Sequence, residues 1–140
     1  MTSWRVVLDT NVYLSGIIFG GNCRHILDLM IKKEIKVVIS PAILLEISQK
    51  LKQKFKWSQN QIFTVIKTLI KSTKAVQPKI KIRVVKMDKS DDKIIEAAVT
   101  GRVNYIISGD KHLLKIKKYQ GVKIVTPADF LSIYFKKDGK

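Results

Sequence analysis

Three features that define large classes of protein are scarce or absent in this 140-residue sequence. Cys23 is the single cysteine, which excludes an internal disulfide. No apolar run approaches the roughly 18 residues that a membrane-spanning helix needs. We expect no secretory leader, because residues 1–5 are not a charged segment that leads into a long apolar stretch. His25 and His112 are far apart in sequence and form no zinc-binding pattern. We therefore expect a cytoplasmic protein without membrane, disulfide or zinc chemistry.

Acidic residues are also scarce: 11 Asp and Glu stand against 27 Lys and Arg, giving a formal charge of +16. A net charge with a magnitude of about 2 to 8 is sufficient to keep a small domain soluble. Residues 47–87 contain no acid and eleven basic residues: Lys50, Lys52, Lys54, Lys56, Lys67, Lys71, Lys74, Lys79, Lys81, Arg83 and Lys86. A solvated lysine-rich surface is one explanation. The phosphates of RNA or DNA are the better one, because a like-charge excess of this size repels itself.

Short β-branched runs alternate with longer segments of helical period, which predicts one α/β domain with a mainly parallel sheet between helices. We place this domain at residues 1–135 and expect residues 136–140 to be a frayed basic tail. The predicted strands are Arg5–Leu8, Lys36–Ile39, 80–85, 105–108 and Val122–Val125. The predicted helices are 24–33, 41–55 after a Ser40 cap, one from a Ser58 cap to before Pro78, 91–100 between a Ser90 cap and Gly101, which is expected to end it, a short one after Asp110, and one from Pro127.

Two acids follow predicted strands. Asp9 comes directly after the apolar run 6–8, where we expect the strand to open into a loop, and Asp110 follows 105–107 through Ser108 and Gly109. Parallel α/β sheets bind ligands at the carboxyl ends of their strands. The two carboxylates are therefore expected to share one site.

Glu46 lies on the predicted helix after Ser40, at the edge of an apolar stripe. The stripe is made by Ile43, Leu44, Ile47 and Leu51. A solvated glutamate pairing with Lys50 one turn later, worth a few tenths of a kcal/mol, is the ordinary alternative to a role in the site. Position alone leaves both interpretations open.

Asp91 and Asp92 open a predicted helix, where both could simply stabilise the positive end of the helix dipole. On a helical wheel Asp91 shares the sheet-facing side with Ile94, Ile95 and Ala98, whereas Asp92 points about 100° away. We therefore assign the chemistry to Asp91. Asp88, ahead of the helix, would replace it only if its loop folded back.

Four convergent carboxylates, from Asp9, Glu46, Asp91 and Asp110, would repel one another in a partly dry cleft. A divalent cation would resolve the repulsion, and oxygen-only ligands favour Mg²⁺ or Mn²⁺. Together with the basic surface, this predicts phosphodiester hydrolysis by metal-activated water.

At these residues the sequence resembles the PIN-domain family, in particular its bacterial VapC-like toxins of toxin-antitoxin pairs. The resemblance spans nearly the whole chain, and the order and spacing of its motifs are more specific than any one of them. The landmarks are residues 6–12 (VVLDTNV), 40–46 (SPAILLE), 91–96 (DDKIIE), 105–114 (YIISGDKHLL) and 126–127 (TP).

The resemblance implies a metal-dependent endoribonuclease with a three-layer α/β/α sandwich and a five-stranded parallel sheet. It places Mg²⁺ on Asp9, Glu46, Asp91 and Asp110, with Asn11 and Ser108 as polar supports. These two side chains could instead satisfy backbone amides in tight turns. An RNA substrate, an acidic antitoxin and a homodimer are the implied partners.

Other functions remain in competition. A housekeeping RNA-processing nuclease would share the same chemistry, and a noncatalytic basic module would bind RNA through charge alone. A phospho-receiver domain is disfavoured because it expects an acid pair after the first strand. A phosphatase with an Asp-x-Asp signature fails because its second carboxylate is replaced by Asn11.

Overall fold

The computed structural model describes residues 4–79 and 91–137, which form an α/β unit. Its strands are β1 (Arg5–Leu8), β2 (Lys36–Ile39), β3 (Thr73–Ala75), β4 (Tyr105–Ile107), β5 (Lys118–Tyr119) and β6 (Val122–Val125). Its helices are α1 (Thr10–Ile18), α2 (Gly21–Ile31), α3 (Pro41–Gln53), α4 (Gln59–Ser72), α5 (Asp92–Gly101), α6 (Lys111–Ile116) and α7 (Pro127–Lys137).

The strands form one mainly parallel sheet in the order β3-β2-β1-β4-β6-β5. Only the β5–β6 pair is antiparallel among the strands of the described ranges. Within residues 4–79 and 91–137 the sheet has six strands, four of the five predicted ones and two additions. The additions are β3 and β5, edge strands of three and two residues, which are too short to show a hydrophobic period. The predicted strand at 80–85 lies outside the described residues.

The central strands carry the core. All three apolar residues of β1 and the last three of β2 are buried, and so are Ile106 and Ile107 of β4. Continuous apolar runs of this kind are typical of parallel strands covered by helices on both faces. α5 packs against β1, β2 and β4, while α1 packs against α2 and α3. The predicted three-layer α/β/α sandwich is confirmed.

Two helices begin at the predicted serine caps. The Ser40 hydroxyl accepts a hydrogen bond of 3.3 Å from the amide of Ile43. The Ser58 hydroxyl accepts one from the amide of Gln61, whose side chain in turn accepts from the Ser58 amide at 2.8 Å. This reciprocal capping box satisfies two of the amides that a helix start leaves without partners. The predicted cap at Ser90 lies outside the described residues.

The prediction of a loop after Asp9 is wrong, because α1 begins at the next residue. Five of its nine residues are buried, Thr10, Val12, Tyr13, Leu14 and Gly16. Apolar residues lie on most sides of this short helix and leave only a narrow polar side at Asn11 and Ser15, so the three- and four-residue apolar spacing that identifies an amphipathic helix does not stand out. This placement puts Asp9 between a strand and a helix with almost no flexible backbone around it.

Gly101 is the last residue of α5 rather than the residue that stops it. The left-handed position belongs to Arg102, with φ of 52°. Gly101 instead lies where a Cβ would come within 2.6 Å of the Val38 Cγ1 on β2. The role of the glycine is therefore to permit close packing of α5 on the sheet. The sequence-based prediction had explained the glycine by helix termination instead.

The last helix, α7, includes residues 136 and 137, the first two of the predicted tail. The other three lie outside the described residues, and the division into one domain and a tail stays a prediction. Within residues 4–79 and 91–137, no helix combines the length and the apolar character needed to cross a membrane.

Candidate active site

The sheet reverses its order of connection between β1 and β4. From β1 the chain adds β2 and β3 on one side, and then β4, β5 and β6 on the other, where β6 lies beside β4 and β5 is the edge strand. Leu8 and Ile107 are register partners at the carboxyl ends of the two strands. Open α/β sheets bind ligands at such a switch point. The residues that follow Leu8 and Ile107 therefore lie where this fold places its chemistry.

Asp9 is fixed at this point by both strands. Its amide donates to the Ile107 carbonyl at 3.0 Å. Its Oδ2 accepts a hydrogen bond of 2.7 Å from the Ser108 hydroxyl. Although Asp9 is the N-cap residue of α1, its side chain makes no capping bond to that helix. The carboxylate is therefore directed toward β4, and only 5% of Asp9 is exposed.

Ser108 joins Asp9 to the second strand-end acid. The fully buried Ser108 hydroxyl donates to Asp9 and accepts from the Asp110 amide at 2.9 Å. Asp110 caps α6, since its Oδ1 accepts from the amides of His112 and Leu113 at 2.7 and 3.4 Å. The structure thus brings together Asp9, Ser108 and Asp110, as the strand-end argument predicted.

Glu46 reaches the same end of the sheet from α3. Its Oε1 accepts a hydrogen bond of 2.6 Å from the Thr10 hydroxyl, which belongs to the residue after Asp9. Lys93 Nζ lies 3.1 Å from the same oxygen, and Lys50 Nζ lies 3.5 Å from Oε2. Both interpretations left open for Glu46 therefore describe part of the structure: it pairs with Lys50 one turn away and also contacts the site.

Asp91 and Asp92 are both buried at the start of α5, with 5% and 6% of each residue exposed. The expectation that Asp92 points away from the packed side of the helix is wrong, because Asp92 is as buried as Asp91. Asp91 is the N-cap residue of α5, and its backbone is already helical, with φ of −78° and ψ of −21°. Burial therefore gives no preference between the two acids. Asp88 lies outside the described residues.

Asn11 differs from the other predicted site residues because it is exposed on the first turn of α1. The turn on which it was expected is helical, so it has no tight turn to support. Its role as a polar support of the site stays a prediction.

The pKa values of Asp9 and Glu46 are shifted in opposite directions by their surroundings. Burial raises the pKa of Asp9, the carboxylates of Asp110 and Glu46 raise it further, and the Ser108 hydrogen bond opposes them. For Glu46, burial also acts to raise the pKa. It is outweighed by hydrogen bonds from Thr10 and Lys93 and by the charges of Lys93 and Lys50, so that the pKa of Glu46 is lowered. Negative charge is thus compensated at Glu46 and poorly compensated at Asp9.

The donor set suits a hard divalent cation in its chemistry, because it consists of carboxylate oxygens whose mutual repulsion such an ion would relieve. In the part of the chain that the structure describes, however, no three acidic, histidine or cysteine side chains form a group that could hold an ion. Glu46 is bound to two lysines, and Asp110 Oδ1 is bound to α6. A cation would be held only after side chains turn toward it.

Sequence reasoning missed Thr10 and Lys93 as members of the site. Thr10 acts on a residue 36 positions away, and Lys93 acts from another helix. Neither contact can be recognised from neighbouring residues in the sequence, and one lysine does not stand out among 27 basic residues. The adjacency of Lys93 to two buried acids is the one feature that could have distinguished it.

Comparison with known proteins adds a family match and three structural neighbours. A family model described as PIN domain matches residues 5–112. No curated protein matches the sequence significantly.

The three neighbours share the fold at low sequence identity. The crystal structure of VapBC2 from Rickettsia felis, bound to a DNA fragment from its promoter, has a TM-score of 0.61 at 14% identity, over 87% of this chain and 98% of that one. DNA-bound VapBC from Salmonella typhimurium gives 0.59 at 14% identity, over 89% and 98%. PAE2754 from Pyrobaculum aerophilum gives 0.54 at 12% identity, over 93% and 88%.

Proposed function

The family model covers far more than half of the chain, so the protein belongs to the PIN-domain family, and from this premise we propose that it is a metal-dependent endoribonuclease. PIN domains are generally nucleases that use divalent metal ions. The observation that carries the proposal is the buried Asp9 carboxylate, held by Ser108 beside Asp110 at the switch point of the sheet. A buried acid with two acidic neighbours is suited to binding a cation rather than to stabilising the fold.

Asp9, Glu46, Asp91 and Asp110 are the residues that would hold Mg²⁺ or Mn²⁺. A bound ion would supply charge neutralisation at the phosphate and a lowered pKa for the attacking water. Asp91 is retained over Asp92 on the family motif, since burial does not separate them. No side-chain nucleophile is required by this reaction.

The remaining contacts position these acids. Ser108 orients Asp9 through its hydroxyl, and the same hydroxyl fixes the backbone at Asp110. Thr10 holds Glu46 near Asp9. Groups that orient metal-binding carboxylates typically change metal affinity or activity by about 10- to 100-fold when they are removed. We propose Asn11 as a further polar support at the exposed edge of the site.

RNA is the proposed substrate because of the charge of the surface. The net charge of +16 and the acid-free stretch at 47–87 favour a polyanion over a neutral or acidic substrate. Neither feature distinguishes RNA from DNA, so substrate identity rests on the family resemblance and on a cleavage assay.

We further propose that the protein is the toxin of a toxin-antitoxin pair, that it binds an acidic antitoxin, and that it acts as a homodimer in the cytoplasm. Two of the structural neighbours are VapBC proteins bound to DNA. A housekeeping RNA-processing nuclease has the same chemistry and differs only in the absence of a partner that neutralises it. Growth on expression with and without the neighbouring gene separates these roles: toxicity relieved by that gene supports the toxin.

The test of the nuclease proposal is cleavage of mixed cellular RNA by the purified protein in Mg²⁺, in Mn²⁺ and in EDTA. Asp9→Asn is expected to lower the cleavage rate on the order of 10²- to 10³-fold, as removal of one key electrostatic group does in other enzymes. Asp28→Asn, at an exposed acid on α2, is the matched control and should cleave like the wild type.

The outcomes separate the alternatives. Cleavage by Asp9→Asn at the wild-type rate would mean that the site is assigned wrongly or that a contaminating nuclease is present. Salt-sensitive RNA binding without any cleavage would favour the noncatalytic module.

A further inference from the structure

Lys93 makes an ion pair inside the candidate site that the proposed reaction does not use. Its ammonium lies 3.1 Å from Glu46 Oε1, and only 19% of each side chain is exposed. The same oxygen accepts the Thr10 hydroxyl at 2.6 Å. Lys93 belongs to the first turn of α5, next to two buried acids, Asp91 and Asp92. It is therefore a partly buried cation among carboxylates, unlike the exposed lysines elsewhere on the surface.

Lys50 also contacts Glu46 but in a different setting. Its ammonium lies 3.5 Å from Oε2, its side chain is 37% exposed, and it is four residues from Glu46 on the same helix. Such exposed pairs contribute little. Lys93 instead connects α5 with α3 across the site. The Glu46 oxygen that it contacts, Oε1, is the one that also accepts the hydrogen bond from Thr10, the residue next to Asp9. The two lysines thus contact different oxygens of the same carboxylate.

A lysine at this position competes with any divalent cation for Glu46, because both neutralise the same carboxylate. Once released, an ammonium group with three donors is a strong ligand for phosphate oxygens. Lys93 also lines a cavity of 120 Å³ with Ser40, Pro41 and Glu96, so its side chain is not enclosed on every side.

We propose that Lys93 is a resident counter-ion of Glu46, that a divalent cation displaces it, and that the displaced ammonium binds a phosphate of the nucleic-acid substrate beside the acids. This inference rests on the nuclease function proposed above and adds a substrate-binding residue to it.

The first experiment titrates the metal-free protein with Mn²⁺ alone and measures free Mn²⁺ by electron paramagnetic resonance. Lys93→Met and Lys93→Gln are expected to bind Mn²⁺ about three- to tenfold more tightly than the wild type, because a competing unit charge has been removed. Lys93→Arg keeps the charge and should remain close to the wild type. Lys67→Met, at an exposed lysine on α4, controls for the loss of one charge and should be unchanged.

Unchanged or weaker Mn²⁺ binding in both neutral variants would overturn the proposal, since Lys93 would then only support the fold around Glu46. Thermal unfolding of each variant identifies any that fail to fold. Two neutral replacements of different polarity keep the comparison usable if one of them is unstable.

The second experiment measures RNA cleavage at an Mn²⁺ concentration that saturates each protein. Lys93→Met is expected to cleave about tenfold more slowly or worse, with Lys93→Arg partly restored. Tighter metal binding together with slower cleavage is a combination that a merely structural residue would not produce. Tighter binding with cleavage at the wild-type rate would overturn the phosphate contact. If the wild type cleaves nothing, the proposed nuclease function fails, while the Mn²⁺ titration still decides whether Lys93 competes with metal.

Discussion

Three influences oppose the ionisation of a single carboxylate, that of Asp9. Burial is the largest, and the carboxylates of Asp110 and Glu46 add to it. The hydrogen bond from Ser108 opposes them without overcoming them, so the pKa of Asp9 is raised. Such an acid binds its proton more tightly in the folded protein than in the unfolded chain. Its contribution to stability is therefore fully present below its ordinary pKa and is lost as the pH rises through the raised pKa.

Asp9→Asn should consequently stabilise the metal-free protein at neutral pH, because it removes a charge that the fold disfavours. We expect its Tm in EDTA to exceed that of the wild type at about pH 7, with a shift of about 2–4 °C for each kcal/mol gained. The difference should shrink as the pH is lowered toward about 4, where Asp9 is increasingly protonated. Thermal unfolding followed by circular dichroism across this range checks it, and a lower Tm for the variant at neutral pH would contradict it.

The residues of the site were predictable to different degrees. Asp9 and Asp110 are identified by strand-end position alone, because parallel strands bring their carboxyl ends to one edge. Glu46 could be placed on a helix but not oriented. Thr10 and Lys93 depend on how α1, α3 and α5 pack, and no local pattern in the sequence encodes such packing.

Among the helices, α5 depends on a close approach to β2. Gly101 provides it, since an added Cβ would lie 2.6 Å from Val38 Cγ1 and 3.2 Å from its Cβ. β-branched valine is stiff about χ1 and cannot easily move aside. The register of α5 on the sheet also sets the position of Lys93 and the two acids beside it, so this contact connects helix packing to the site.

Gly101→Ala should therefore destabilise the protein by about 1–3 kcal/mol, the usual cost of overpacking a well-filled contact. Chemical denaturation gives the free energy of unfolding. Gly109→Ala is the matched control, because no described atom lies within 4 Å of its added Cβ. In a Val38→Ala background the cost of Gly101→Ala should fall, and equal costs in both backgrounds would show that Val38 is not the obstacle.

The elements that sequence patterns identified share strong local signals. Ser40 before a proline and Ser58 before Gln61 mark helix starts through side-chain capping, which acts within three residues. α1 was missed because it is buried on most sides, and β3 and β5 because two or three residues at a sheet edge are held by their neighbours rather than by their own composition. Local sequence patterns therefore identify where capped helices begin more reliably than they identify buried helices or very short strands.

Charge is distributed unevenly over the protein. Basic residues without a single acid occupy 47–87, and those described on α3, α4 and β3 include the exposed Lys52, Lys67, Lys71 and Lys74. Each phosphate contact releases counter-ions from the nucleic acid, so the affinity of such a surface falls steeply with salt.

Replacing Lys52, Lys67, Lys71 and Lys74 by Gln should weaken binding to single-stranded RNA and flatten its dependence on salt. The slope of log affinity against log salt is expected to fall by about 0.7 for each phosphate that the variant no longer binds. Fluorescence anisotropy at several NaCl concentrations measures it. Replacing the exposed Lys115, Lys117, Lys118 and Lys123 removes the same charge elsewhere. An equal weakening in both variants would show that net charge matters and the 47–87 surface does not.

The hydrogen bond between Ser108 and Asp9 spans 99 positions of the sequence, and it has a consequence for the timing of synthesis. A ribosome adds about 5–20 residues each second, and Asp9 has neither Ser108 nor Asp110 beside it until β4 has emerged and paired with β1. Contacts of such long range also form slowly, because a long loop must close first. A nascent chain therefore exposes its basic stretch before its acids are assembled, so that the proposed affinity for RNA would be acquired earlier than the proposed ability to cut it.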